Sequence, residues 1–293
     1  MVVSRIAPTP SGFLHAGNAF NFILTWLIVR ANNGTLWLRI DDLDSDRTRE
    51  VYVEHIFHVL AWLGLDWDEG PRDAASFYAS HALEHRLWRY EEVKKTLLAH
   101  PLVYACACSR KEILSSSKEG IYPLTCKEKL LAWAPQDMAL RLHVKGDLSP
   151  EAAVLAQTMG DFILWRKEDL PSYHLASLVD DWHMGTTVLV RGEDLATSTL
   201  AQRYVAHVLG YSSFLQARCV HHPLLKTSEG QKLSKSQKAP PVELLSSPKE
   251  LFAEVSRYLN LPPCYNALTL LEAYQAEGKG MSLGGIFELG GEK

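Results

Sequence analysis

The sequence predicts an α/β fold: a parallel sheet covered by helices on both faces and split by an insertion. Two observations carry that expectation. Short β-type runs alternate with helical runs through the first hundred residues. The same strand-then-helix rhythm returns near residue 187, after a cysteine-bearing stretch of different texture. With 293 residues, 47% hydrophobic and 22% charged, the chain can bury a sizeable core.

Val2 to Ala7 reads as a short strand, ended by Pro8, Pro10 and a turn at Gly12. A helix is expected from about Gly17 to Ala31, with Phe22, Ile23, Trp26 and Leu27 on one face. Asn32-Asn33-Gly34 stops it by favouring a left-handed cap. Thr35 to Ile40 has the look of a buried strand. From Arg49 to Leu63 the stripe Val53, Ile56, Phe57, Leu60 and Leu63 predicts a helix that Gly64 ends. Another helical pattern spans His81 to Leu98. The rhythm changes after Pro101, and residues up to about 170 read as an insertion. A strand at Thr187 to Arg191 and a helix at Thr197 to Leu209 then resume the pattern. The expected organisation is a first half at 1–100, an inserted subdomain at 101–170, a second half at 171–240, and a C-terminal helical segment with a loose glycine-rich tail at 241–293.

Bulk properties exclude several classes. The longest nearly apolar run, Phe22 to Val29, is eight residues, against the roughly 20 needed to span a bilayer. The N-terminus has no basic region followed by an apolar one, so a cytosolic protein with no membrane partner is expected. The formal net charge of −4 means that nucleic acid, if bound, is met by a local basic patch. Lys226, Lys232, Lys235 and Lys238 supply one, with Glu229 as the single acid among them. Five cysteines without a leader argue against a disulfide framework. Cys219 and Cys264 stand alone and read as buried small hydrophobes.

Two segments carry chemistry. In Pro8 to Asn18 a strand ends, prolines shape a loop, and His15 precedes Gly17 at the mouth of a helix. A helix N-terminus exposes unpaired N–H groups and partial positive charge, which suits phosphates. Gly17 allows a nucleotide to approach the backbone. In Lys232-Leu233-Ser234-Lys235-Ser236, two lysines three apart can both address one triphosphate.

Together these segments resemble the HIGH and KMSKS signatures of class I aminoacyl-tRNA synthetases. Asn18 stands in place of the second histidine and Leu233 in place of methionine, and His15 and Lys232 lie 217 residues apart. The resemblance implies a Rossmann-like catalytic domain that uses ATP with Mg2+. It further implies that His15, Gly17 and Asn18 bind the nucleotide, while Lys232 and Lys235 meet the charge that develops on pyrophosphate.

Arg5-Ile6-Ala7-Pro8-Thr9-Pro10-Ser11-Gly12, Leu38 to Asp44, Tyr173 to Asp181 and Val190 to Asp194 are similar to the glutamyl branch of that family. The likeness covers roughly residues 2–45 and 101–240. It implies glutamate as substrate, held by Arg5, Ala7, Thr9, Asp41, Tyr173 and Arg191. Arg5 and Arg191 offer cationic forks for carboxylates, with Arg191 on the γ-carboxylate. Tyr173 adds a hydroxyl and Asp41 holds the α-ammonium. Asp41 stands where the family pattern has glutamate, a loss of one methylene and about 1.5 Å of reach.

Cys106, Cys108 and Cys126 fall within 21 residues, and on spacing alone they fit either a zinc site or three reduced cysteines in a small core. Cys-x-Cys, then Tyr122, three residues and Cys126 resembles the zinc site of truncated glutamyl-synthetase paralogues. That likeness implies a structural Zn2+ with Tyr122 as fourth ligand. Only 57 residues follow Ser236, short of an anticodon-binding region, which points to the same paralogues. They activate glutamate without tRNA and attach it to queuosine in the anticodon of tRNA(Asp), and a monomer is expected. The residues themselves leave the acceptor open between tRNA and a non-tRNA molecule.

Overall fold

A computed structural model describes residues 1–117, 121–224, 242 and 247–278, together with the backbone of 287–289. The chain opens with β1 (Val3–Ile6), α1 (Ala16–Ala31), β2 (Thr35–Leu38), α2 (Glu50–Leu63), α3 (Ala74–Ser80) and α4 (Leu83–Leu98). It continues through β3 (Val103–Cys106), α5 (Arg110–Ser116), β4 (Ala139–Leu142), α6 (Pro150–Thr158), β5 (Phe162–Trp165) and α7 (Tyr173–His183). Then come β6 (Val188–Gly192), α8 (Ala196–Leu209), α9 (Ser212–Leu215), β7 (Arg218–His222), α10 (Lys249–Tyr258), α11 (Ala267–Ala276) and β8 (Phe287–Leu289).

These elements form two compact units. The first comprises Met1–His85, Gly185–Leu195 and Gln216–Lys293, and the second Arg86–Met184 with Ala196–Leu215. In the first unit β1 pairs in parallel with β2, and β6 in parallel with β7. β6 starts alongside β1: the Thr187 N–H donates to the Val3 carbonyl at 2.9 Å, and the Ser4 hydroxyl donates to the Val188 carbonyl at 2.7 Å. All four parallel strands therefore end on one edge. β8 adds an antiparallel partner to β7, so a stretch that composition marks as a loose tail contains a strand.

Helix α1 is the hub of this unit's core. Phe20, Ile23, Leu24, Leu27 and Val29 are all buried, and a helix that is apolar nearly all round must be covered on all sides. β1, β2, β6, α2, α10 and α11 cover it. Its end follows the sequence signal, with Asn33 at φ 48° in the left-handed region. Gly64 ends α2 in the same way at φ 68°, a conformation that costs a Cβ-bearing residue roughly 1 kcal/mol or more. Cys219 and Cys264 are buried. Among the helices that the sequence pattern does not predict is α3, which Asp73 caps by accepting the Ser76 N–H at 2.7 Å, a local signal too short to register as periodicity.

The second unit has a different sheet, β3-β4-β5, antiparallel throughout. The sequence predicts an insertion here without its sheet, because strands of four residues between irregular loops carry no readable alternation. Charged groups anchor the unit's helices. Asp180 on α7 accepts from Arg86 and from the Tyr90 hydroxyl, both at 2.6 Å. Lys94 sits over the Trp165 ring at 4.2 Å while pairing with Glu91 and Asp169. Among the described residues no helix is long and apolar enough to cross a membrane.

Candidate active site

The mouth of α1 is built by its own sequence. His15 is the N-cap, in extended conformation, and its Nδ1 accepts the Gly17 N–H at 3.1 Å. Asn18 reaches back, with Oδ1 accepting the His15 N–H at 3.0 Å. This reciprocal capping box satisfies two of the donors that a helix start leaves unpaired. Asn18 is thus a short side chain at the third helical position that closes the box. The entry loop is fixed from behind: the Leu14 N–H donates to His55 Nδ1 at 3.2 Å, and the Val242 N–H donates to the Leu14 carbonyl at 2.9 Å. Lys232 and Lys235 lie outside the described residues.

The C-terminal edge of the parallel strands gathers most of the remaining predicted residues of the first unit. Arg5 lies on β1, Ala7 and Thr9 follow it, and Arg5 is buried. The segment after β2 folds against them: the Arg39 N–H donates to the Ile6 carbonyl at 2.9 Å and the Asp41 N–H to the Pro8 carbonyl at 2.8 Å. Asp41 is gripped by Arg39, Nε to Oδ1 at 2.6 Å and Nη2 to Oδ2 at 3.1 Å. Arg191 stands near the end of β6, buried and in register with His221. Burial, then the Arg191 charge and the neighbouring His222 imidazole, push His221 down to about 4 against the opposing pull of Asp194. His222 lies 3.0 Å from Asn21 Nδ2 and 2.9 Å from the Pro223 carbonyl. An amide donor on one ring nitrogen and a carbonyl on the other set the neutral tautomer with its proton on Nδ1. Such an edge, at the open ends of parallel strands beside a helix N-terminus, suits a nucleotide and a small anion.

Tyr173 belongs to the second unit, at the start of α7, where Ser172 caps the helix. The cysteines belong there too. Cys106 ends β3, and Ser109 and Glu112 cap α5 just beyond Cys108. Cys126 sits between Leu124 at φ 59° and Leu130 at φ 48°. Left-handed leucines are costly, and such strain persists where surrounding structure demands it. The sulfurs of Cys106, Cys108 and Cys126 all lie within 4.8 Å of one another. Cys108 Sγ is 3.4 Å from Cys126 Sγ, and the Tyr122 hydroxyl is 3.2 Å from Cys106 Sγ and 3.6 Å from Cys108 Sγ. A tetrahedral zinc with bonds of about 2.3 Å to sulfur sets ligand–ligand edges of about 3.8 Å. The four donors therefore fit a zinc ion with little movement. Burial opposes ionisation of Cys126, but hydrogen bonds from the Tyr122 hydroxyl, the Ala107 N–H and the two neighbouring thiols bring it to about 7. Burial and the same thiols raise the Tyr122 hydroxyl, as burial does Cys108.

The family of class I tRNA synthetases (E and Q), catalytic domain, matches residues 1–129 and 132–245. The chain belongs to this family.

The synthetase is 33% identical over 280 residues to the glutamyl-Q tRNA(Asp) synthetase of Nitratidesulfovibrio vulgaris, covering 88% of this chain and 85% of that one. It is 34% identical over 276 residues to the protein of that name from Neisseria meningitidis, covering 89% of each chain. The Pseudomonas aeruginosa counterpart is 35% identical over 251 residues, covering 82% of this chain and 79% of its own. In fold the synthetase is similar to a glutamate tRNA ligase from Elizabethkingia meningosepticum, with a TM-score of 0.60 at 23% identity. That likeness covers 80% of this chain and about half, 52%, of the ligase. A Mycobacterium tuberculosis methionyl-tRNA synthetase shares the fold at a TM-score of 0.55 and 13% identity, over 84% of this chain and 62% of its own.

Sequence reasoning gave no role to several residues at the synthetase's strand edge. Arg39 was visible inside the Leu38 to Asp44 segment, but its grip on Asp41 depends on how the chain turns after β2. His221 and His222 carry no spacing signal and become notable only where β7 ends beside Arg191.

Proposed function

We propose that the chain joins ATP and glutamate into glutamyl-adenylate without tRNA, and then transfers glutamate to queuosine in the anticodon of tRNA(Asp), with AMP as the leaving group. The observation that carries this reading is the 33–35% identity, over most of the chain, to proteins named glutamyl-Q tRNA(Asp) synthetase.

In the first step a carboxylate oxygen of glutamate attacks the α-phosphorus and the bond to the β-phosphate breaks, releasing pyrophosphate. Positioning and charge neutralisation supply most of the acceleration. The capping box commits His15 Nδ1 and Asn18 Oδ1 to the helix start. In this reading His15 and Asn18 address the phosphates, and Gly17 admits the nucleotide. Lys232 and Lys235 neutralise the departing pyrophosphate. Arg5 and Arg191 take the substrate carboxylates and Asp41 the α-ammonium, with Ala7 and Thr9 beside them, and Tyr173 is proposed as a further substrate-binding hydroxyl. Magnesium bound with the nucleotide would supply charge neutralisation on the triphosphate. Cys106, Cys108, Tyr122 and Cys126 hold a structural zinc that pins the insertion. The enzyme acts in the cytoplasm as a monomer.

Transfer of radiolabelled glutamate to queuosine-containing tRNA(Asp), with the same tRNA lacking queuosine as control, tests the acceptor. Labelling of the modified tRNA alone is expected. Labelling of both, or of a 3′ terminus, contradicts it.

A further inference from the structure

Arg141, on β4, is a buried cation, 6% exposed. Among the described residues it makes no ion pair. Its Nη1 donates to the Asp161 carbonyl at 3.1 Å, and its Nε, also buried, has no hydrogen-bond partner. The Asp161 carboxylate is occupied elsewhere, by the Tyr104 hydroxyl at 2.8 Å, the Val144 N–H at 2.8 Å and His143 at 3.0 Å. What the guanidinium faces is the Tyr122 ring, with Cζ 3.8 Å from the centroid. A buried guanidinium without an anion is costly, so its placement calls for negative charge close by. Three thiolates and a phenolate around Zn2+ carry a net charge of about −2, shared by the ring on which Arg141 lies.

We propose that Arg141 is the counter-charge of the cysteine–tyrosine metal site. It is a positioning residue that holds the Tyr122 ring in its ligating orientation through a cation–π contact and offsets the site's negative charge. Gly160 holds the packing behind Tyr122 tight. It sits at φ 64°, and a Cβ there would come within 2.6 Å of Ile121 Cγ2 and 3.8 Å of the Tyr122 nitrogen, so the chain passes close behind the ring's residue. The inference rests on zinc occupying the site, and the test separates the two claims.

Zinc content per chain and the chelator concentration that strips it are measured on the full zinc-loaded protein and on Arg141→Gln, Arg141→Met and Arg141→Lys. Thermal melting is followed with and without zinc. The two uncharged variants are expected to release zinc at about tenfold lower chelator and to lose most of the melting gain that zinc confers, while Arg141→Lys stays within about threefold of the parent. A residue with a merely structural role lowers the loaded and stripped melts equally and leaves the zinc-induced gain intact. That result, or uncharged variants that hold zinc as tightly as the parent, overturns the inference. A parent chain that takes up no zinc overturns the metal site itself and the inference with it. Should neither uncharged variant fold, Arg141→Lys decides: near-parent zinc retention supports the counter-charge, and a loss of tenfold or more overturns it.

Discussion

Arg39 holds both carboxylate oxygens of Asp41, at 2.6 Å and 3.1 Å, and both side chains are buried. The shorter acid is thus fixed by a two-point clamp two residues away. Asp41→Glu pushes the carboxylate about 1.5 Å out of that clamp, and displacement of about 1 Å can cost ~100-fold in rate. We expect kcat/KM for glutamate in pyrophosphate exchange to fall by at least about tenfold. A variant matching the parent would show that the clamp does not set the reach of this side chain.

Removing the other half of the pair has a different signature. Arg39→Gln leaves the buried Asp41 carboxylate without its guanidinium, and breaking a buried pair costs roughly 3–5 kcal/mol. A lower urea midpoint with unchanged slope is the expected result.

His15 caps α1, and on the proposed reading it also addresses the nucleotide. Serine caps helices well, so His15→Ser is expected to keep the melting temperature within a few degrees while losing adenylate formation by about 100-fold. His15→Ala loses the cap as well, at about 1 kcal/mol. Equal activity in His15→Ser and the parent would remove the imidazole from the chemistry.

The His221 imidazole titrates near 4 in the folded chain, against an ordinary value of 6.5, because it is buried beside Arg191 and His222. The folded state therefore resists a proton that the unfolded chain accepts. The stability this reflects is complete above pH 6.5 and is lost as the pH falls toward 4, a change on the order of 3 kcal/mol. Urea unfolding across pH 4–7 should show it, and His221→Asn should flatten that limb.

The parts of this molecule that are legible in sequence are those whose cause is local. His15 to Asn18 closes a capping box within four residues, Asn33 and Gly64 stop helices by their own backbone preferences, and the α1 stripe declares a helix with one apolar face, although the fold buries it nearly all round. Cys106, Cys108, Tyr122 and Cys126 lie near enough in the chain to be seen as a group, and the fold brings their donor atoms together. Illegible were features made by distant contacts or by turns: the antiparallel β3-β4-β5 sheet, the Arg39 clamp, the His221–Arg191 pairing across two strands, and Arg141 lying over a tyrosine 19 residues earlier. No periodicity encodes them, because each depends on where a side chain points once the sheets have formed.

On the proposed reading this chain makes glutamyl-adenylate with no tRNA present. ATP–pyrophosphate exchange, measured with glutamate and no tRNA and with other amino acids as controls, tests it most directly. Robust exchange with glutamate alone is the predicted result. Exchange that appears only when tRNA is added, or only with a different amino acid, would contradict it.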